Sequence, residues 1–325
     1  MKLKLGILGA GKISATVAAT LVQMEELEVW AVASRSLEKA QTFAGQFDIP
    51  HAYGSYEEML ENPEIELVYI ATPHSHHYEH MMLAMEHGKA VICEKAFTLN
   101  ARQARAVKEY AETHGIYCAE AIWPRYMPSR KMIDDILASG IIGRPDVLTA
   151  NLSYVIHQVP RIIRPELAGG ALLDIGVYGL NFALMHFGGD FDRMESAVRM
   201  TQSRVDGMET ITLFYPDGRM AVLTHSIWSR SDRKGIVHGD KGYMVVENIN
   251  NPQSISVYNT NDELLAHYDV PVQISGYEYE FREAVRCIRE GKQQSDSMPL
   301  ADSVFMMEKM DALRRQWGLV YPQEQ

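Results

Sequence analysis

The sequence predicts an α/β protein: an N-terminal doubly wound parallel sheet, followed by a C-terminal α+β domain on an open, mainly antiparallel mixed sheet. Three observations carry this. Over roughly the first 120 residues short β-branched runs alternate with helical patterns, the grammar of βαβ units. A glycine-rich turn, Gly9-Ala10-Gly11-Lys12-Ile13-Ser14, follows the first apolar run and opens the first helical one. After Trp123-Pro124 strands come in runs and helices stand apart from them, so the domains are expected at 1–122 and 123–325.

Residues 3–8, 29–34, 67–71, 90–94 and 116–120 read as strands of the first sheet, with helices at 13–24, 37–47, 78–87 and 101–114. Ser55 with Glu58 has capping-box spacing, and Asn100 with Gln103 is a looser match. Gly88 and Gly115 sit where helix C-terminal glycines are expected. A helix at 129–138 then leads into strands at 146–155, 194–201, 210–215, 220–228, 234–238, 243–247 and 254–258. Pro216-Asp217-Gly218 is a hairpin signal between two of them. Helices recur at 174–187, 277–290 and 300–316.

The chain has 325 residues, about twice an average domain, and is 46% hydrophobic and 22% charged, which suits a globular protein with a sizeable core. Lys and Arg total 31 against 42 Asp and Glu, a net charge of −11 whose field repels phosphate backbones and anionic membranes. Neither nucleic acid nor membrane is expected as a partner. No uncharged apolar stretch approaches the ~20 residues of a membrane span, so the expected location is the cytoplasm. Cys93, Cys118 and Cys287 cannot all pair and read as reduced core thiols.

The Gly9 to Ser14 turn has the strand-to-helix context of a dinucleotide fingerprint, so the N-terminal sheet is expected to be a Rossmann domain. Gly9 permits the tight turn, Gly11 lets the backbone approach a pyrophosphate, and the amides of Lys12 and Ile13 open the helix N-terminus that stabilises its charge. Ser14 replaces the third glycine, whose role is helix-to-strand packing. At the end of the second strand NAD requires a carboxylate for the ribose 2′-hydroxyl, and this chain has Ser34-Arg35-Ser36. A guanidinium and two hydroxyls suit a 2′-phosphate, so NADP is the expected cofactor, with NAD the other possibility.

Glu94-Lys95 ends a strand of the same sheet and is expected at the crevice beyond the carboxyl ends, facing the cofactor. The Lys95 ammonium can stabilise charge on a substrate oxygen during hydride transfer. In Gly169-Gly170-Ala171-Leu172-Leu173-Asp174-Ile175-Gly176-Val177-Tyr178, Asp174 and Tyr178 are four apart at a helix start and share a face. A phenol there can act as acid or base while the carboxylate orients substrate. Trp123 is a candidate substrate wall. His74, His76, His77 and His80 invite a zinc reading, but without three converging ligands no metal is expected.

These stretches, with Ala71-Thr72-Pro73-His74-Ser75-His76-His77, resemble the glucose-fructose oxidoreductase and inositol dehydrogenase family, usually called Gfo/Idh/MocA, through nearly the whole chain. Glu120-Ala121-Ile122-Trp123-Pro124-Arg125-Tyr126 resembles its dimeric dihydrodiol dehydrogenase branch. The resemblance implies that Lys95, Asp174 and Tyr178 are active-site residues, that His77 lies on the substrate side, and that Thr72 and Pro73 line the cofactor. Two positions depart from the family pattern: Ala96 stands where proline usually follows Glu-Lys, and His74 where Asn is usual.

The expected activity is hydride transfer between nicotinamide and a secondary alcohol or ketone of a sugar, polyol or cyclic trans-diol. The competing expectation is a non-catalytic NADP-binding regulator on the same fold. A regulator has no need of Lys95 together with Tyr178. The bare face of the second sheet predicts a homodimer or larger assembly through it.

Overall fold

The computed structural model describes residues 2–325 and divides into two compact units. The first takes the chain as far as Tyr126 together with Gln273–Glu308, and the second comprises Met127–Val272 and Lys309–Gln325. The expected division at 122/123 therefore omits a return, because residues 273–308 belong with the N-terminal sheet. Apolar packing explains it.

In the first unit β1 (Leu3–Leu8), α1 (Lys12–Leu21), β2 (Leu27–Ala33), α2 (Leu37–Phe47), β3 (His51–Tyr53), α3 (Tyr56–Leu60), β4 (Leu67–Ile70), α4 (His77–Glu86), β5 (Ala90–Glu94), α5 (Ala101–His114) and β6 (Cys118–Ala121) follow one another. All strand pairs are parallel, in the order β3-β2-β1-β4-β5-β6 of a doubly wound dinucleotide-binding sheet. β4 is buried at every position, as a strand covered on both faces must be. Ser55 and Asn100 cap α3 and α5 by accepting the N–H of Glu58 and Gln103. The three cysteines are free and buried.

The return brings α8 (Glu278–Arg289, which follows α6, Pro128–Ala138, and α7, Val177–Phe187, of the second unit) onto the sheet. Phe281, Ala284, Val285 and Cys287 join Leu5, Ile7, Val17, Leu21, Tyr69 and Ile92 in one core, and Phe281 meets Tyr69 edge-to-face at 5.3 Å. Losing a buried phenylalanine of this kind costs about 3–5 kcal/mol.

The second unit holds α6 (Pro128–Ala138), α7 (Val177–Phe187) and an eight-stranded sheet: β7 (Pro145–Ser153), β8 (Arg193–Met200), β9 (Asp206–Phe214), β10 (Met220–Ser226), β11 (Gly235–Gly239), β12 (Gly242–Val246), β13 (Ser254–Asn259) and β14 (Leu264–Asp269). The order is β14-β13-β12-β11-β7-β10-β9-β8, antiparallel except for β7 with β10. α9 (Leu300–Trp317) crosses the division between the units. Burial alternates along the central strands. Leu148, Ala150, Ile211, Leu213, Leu223, Val237 and Met244 face the core, while Val147, Thr149, Val222, Ile236 and Val245 are only half-buried. β14 was not expected, because Leu264, Leu265 and Tyr268 are exposed and its pattern does not alternate.

Pro165–Phe187 is long and apolar enough to cross a membrane by length and composition, but its apolar 18-residue window is 83% buried in the protein, as a core segment is.

Candidate active site

The cofactor turn leaves β1 at Gly9, whose φ of +109° suits glycine and whose Cβ would stand 3.0 Å from the Ala71 carbonyl. Gly11 begins α1 as its N-cap, and a Cβ there would meet nothing within 4 Å, so the backbone is open to a ligand on that side. Ser14 is fully buried and does more than pack. Its hydroxyl donates to the Gly9 carbonyl at 2.5 Å and accepts the Gly11 N–H at 3.3 Å, clasping the turn. Lys12 is exposed and Ile13 half-buried. This cradle suits a pyrophosphate: open glycine backbone, a helix N-terminus and no carboxylate in the turn.

Ser34 is buried, Arg35 is exposed, and Ser36 caps α2 by accepting the Lys39 N–H at 3.3 Å. Ser36 is thus partly committed to its own helix. Ala10, Gly11, Ser36 and Lys39 line one groove of about 390 Å³, which Glu38 also borders. Lys39 was not singled out from the sequence, although Arg35 and Lys39, four apart across the start of α2, are the signal that could have found it.

β5 delivers Glu94 and Lys95 to the carboxyl end of the sheet that bears the cradle, two strands from β1. Tyr69 donates to Glu94 Oε1 at 2.5 Å, and Lys95 is half-buried. The Lys95–Ala96 peptide is cis, at the position where the family pattern has proline.

His77 departs from expectation. Its ring is fully buried, with Nδ1 2.8 Å from the Ala96 carbonyl and Nε2 2.8 Å from the Thr72 carbonyl. Burial lowers its pKa to about 4 even though both carbonyls favour protonation. A neutral ring has one N–H and so can donate to only one of these carbonyls, while the ring as a whole is packed between the loop after β4 and the turn carrying Lys95. It does not offer a nitrogen to substrate. Thr72 also contacts His80 through its hydroxyl at 2.9 Å, and Pro73 precedes the short turn at His74–His76. Among the described residues no group of three or more His, Cys, Asp or Glu could hold a metal ion. Trp123, expected as a substrate wall, lays one ring face on Tyr277 with centroids 4.2 Å apart and is only 6% exposed.

In the second unit the Gly169-Gly170 motif folds as a π turn, Leu172–Gly176, running into α7. Such turns often mark functional sites. Asp174 lies in the π turn and Tyr178 in the first turn of α7, both largely buried. Asp174 does not cap the helix. It accepts from Arg161 Nη1 at 2.7 Å, and Asp206 instead receives the N–H of Leu172. Neither Arg161 nor Asp206 was expected to matter.

Residues 3–121 match the model of an oxidoreductase family with an NAD-binding Rossmann fold, and residues 131–245 match the GFO/IDH/MocA C-terminal domain. The trans-1,2-dihydrobenzene-1,2-diol dehydrogenases of Mus musculus and Homo sapiens are 34% and 35% identical to the chain, covering 100% of it and 99% of their own lengths. The chain belongs to the GFO/IDH/MocA oxidoreductases. The family fold extends to solved structures of lower identity. A 3-ketoreductase from Actinomadura kijaniata, in complex with NADP and TDP-benzene, superposes with a TM-score of 0.88 at 23% identity, covering 97% of this chain and 98% of that one. The aldose-aldose oxidoreductase of Caulobacter crescentus, complexed with glycerol, gives 0.87 at 21% identity over 99% and 100%. As a GFO/IDH/MocA oxidoreductase, the chain has its cradle and Lys95 in the matched N-terminal region, and Asp174 and Tyr178 in the matched C-terminal one.

Proposed function

We propose that this oxidoreductase uses NADP to interconvert a secondary alcohol and its ketone on a polyhydroxylated substrate, a sugar or a cyclic trans-diol. The observation that carries the reading is Lys95 at the carboxyl end of the same parallel sheet whose first turn forms the open cradle. The diol and sugar substrates named for relatives and structural neighbours support the substrate class.

Gly9, Gly11 and the first amides of α1 would hold the pyrophosphate, with Arg35, Ser36 and Lys39 toward a 2′-phosphate. A bound nicotinamide would supply the hydride donor or acceptor for the carbon that bears the hydroxyl. The chain supplies the rest. In oxidation Tyr178 or Lys95 takes the hydroxyl proton, and an ammonium at Lys95 stabilises negative charge on the oxygen. Asp174 accepts from neighbouring substrate hydroxyls and orients the ring. The half-exposed face of the second sheet, with Val147, Val222, Ile236 and Val245, supports assembly as a homodimer or larger oligomer through that face.

The test is a screen of NADPH oxidation against keto sugars and osones, and of NADP reduction with sugars and trans-diols. Turnover of at least one class is expected. Tight NADP binding with no turnover anywhere on the panel would favour a regulator.

A further inference from the structure

Three glycines in and directly after the second-unit motif, Gly170, Gly176 and Gly179, are accounted for by the side chains beneath them. A Cβ on Gly170, whose φ is +124°, would lie 2.1 Å from Asp206 Oδ1; one on Gly176 would lie 2.6 Å from Glu209 Oε1, and one on Gly179 2.1 Å from His225 Nε2. Real Cβ contacts essentially never fall below 3.0 Å. At these points the backbone of the π turn and α7 rests directly on polar groups of β9 and β10, with no room for a methyl group.

Those groups are unusual occupants of a core. Asp206, Glu209 and His225 are at most 1% exposed. β-Sheet register sets His225 opposite Glu209, with Nδ1 3.2 Å from Oε1 but poorly aligned. Neither Glu209 oxygen and neither His225 nitrogen has a well-formed hydrogen-bond partner. Burial pushes the Glu209 carboxyl pKa well above the usual range and lowers that of His225 to about 3. The pair meets the turn above at distances that exclude a Cβ, so its influence there is steric. Asp206 adds a fixed point by accepting the Leu172 N–H through Oδ2 at 2.5 Å. Buried polar groups this poorly satisfied are costly, and the fold concentrates them under the residues flanking Tyr178.

We propose that Asp206, Glu209 and His225 are positioning residues, a close-fitting platform that sets the depth and rotation of the turn carrying Asp174 and Tyr178. Gly176 and Gly179 bracket Tyr178, so a shift at either contact moves the phenol. The inference rests on the reading of Asp174 and Tyr178 as catalytic groups.

Gly179→Ala drives a methyl group into His225. It is expected to lower kcat about 10- to 100-fold while NADP Kd and substrate KM change less than about threefold, because misplacement by about 1 Å penalises the reaction far more than binding. Adding His225→Ala makes room and should return at least about threefold of the lost kcat, a coupling that independent sites do not show. If Gly179→Ala does not fold, His225→Ala alone decides. It should lower kcat about tenfold and move the Tyr178 phenol titration by at least about half a pH unit, read by ultraviolet difference against the matching Tyr178→Phe protein. Wild-type kcat in Gly179→Ala, a double variant no better than Gly179→Ala, or an unmoved titration in His225→Ala would overturn the platform. A wild type without turnover would sink the proposed function instead, and the phenol titration, which needs no substrate, would still judge the platform.

Discussion

Arg161 donates from Nη1 to Asp174 Oδ1 at 2.7 Å, joining a half-exposed guanidinium to a buried carboxylate. The carboxylate that is to orient substrate is thereby itself oriented, from the 3-10 turn Pro160–Ile162 in the same unit. Solvent screens part of a pair exposed on one side, so its worth is about 1 kcal/mol. Arg161→Ala should raise substrate KM about fivefold with little change in kcat. Steady-state kinetics on the best substrate found checks this, and an unchanged KM would leave the pair with no part in binding.

Cofactor choice follows from the end of β2. Arg35→Ala should weaken NADP binding roughly 10- to 150-fold, the worth of a charge-assisted pair, and leave NAD binding nearly unchanged. Calorimetry with both cofactors on both proteins measures the difference. Equal affinity of the wild type for NAD and NADP would overturn the assignment.

Lys95→Met and Tyr178→Phe should each cut kcat about 10²- to 10⁴-fold, the usual contribution of positioned acid–base catalysis. NADP affinity should change little in either, since neither residue is part of the pyrophosphate cradle. Single-turnover rates and cofactor titrations separate the two effects. Wild-type turnover in both variants would reduce these residues to structural ones.

Glu120 is fully buried in β6, where Oε1 accepts the Phe97 N–H at 3.1 Å, and burial raises its pKa from 4.5 to about 7. A carboxyl with a raised pKa binds its proton more tightly when folded, so its contribution is complete below pH 4.5 and is lost as pH rises through about 7. Glu120→Gln keeps the acceptor and removes the titration. Relative to wild type, the variant should therefore gain about 3 kcal/mol of unfolding free energy between pH 4 and 8. Parallel urea-unfolding profiles at the two pH values would contradict the assignment.

The open face of the second sheet makes assembly testable. Light scattering at micromolar concentration should give at least a dimeric mass, and charged substitutions at Val222 and Ile236 should lower it. A monomeric wild type would refute the interface.

Local patterns made much of the architecture legible. The Gly9 turn, the capping residues Ser55 and Asn100, and the hairpin at Pro216-Asp217-Gly218 are short-range chemistry, and each appears where it was read. β3 and β14 escaped, one because it has three residues and the other because an exposed edge strand need not alternate. Glu209 and His225 did leave a trace. Each occupies the inward phase of its strand, beside Ile211 and Leu213 or Leu223 and Ala221, where a polar residue demands an explanation.

By itself the sequence determined which residues could do chemistry, because a glycine cradle, a lysine at a strand end and a phenol four residues from a carboxylate are set by spacing within single elements. What each of those groups touches was decided only in three dimensions. Burial placed both nitrogens of His77 against the Thr72 and Ala96 carbonyls and so withdrew it from substrate. The return of residues 273–308 brought Phe281 to Tyr69 and Tyr277 to Trp123. The partners of Asp174 and of the glycines around Tyr178, Arg161, Asp206 and His225, come from positions 13 to 46 residues away along the chain. Hydrogen bonds and close contacts of this kind depend on the packing of whole elements, which no local pattern records.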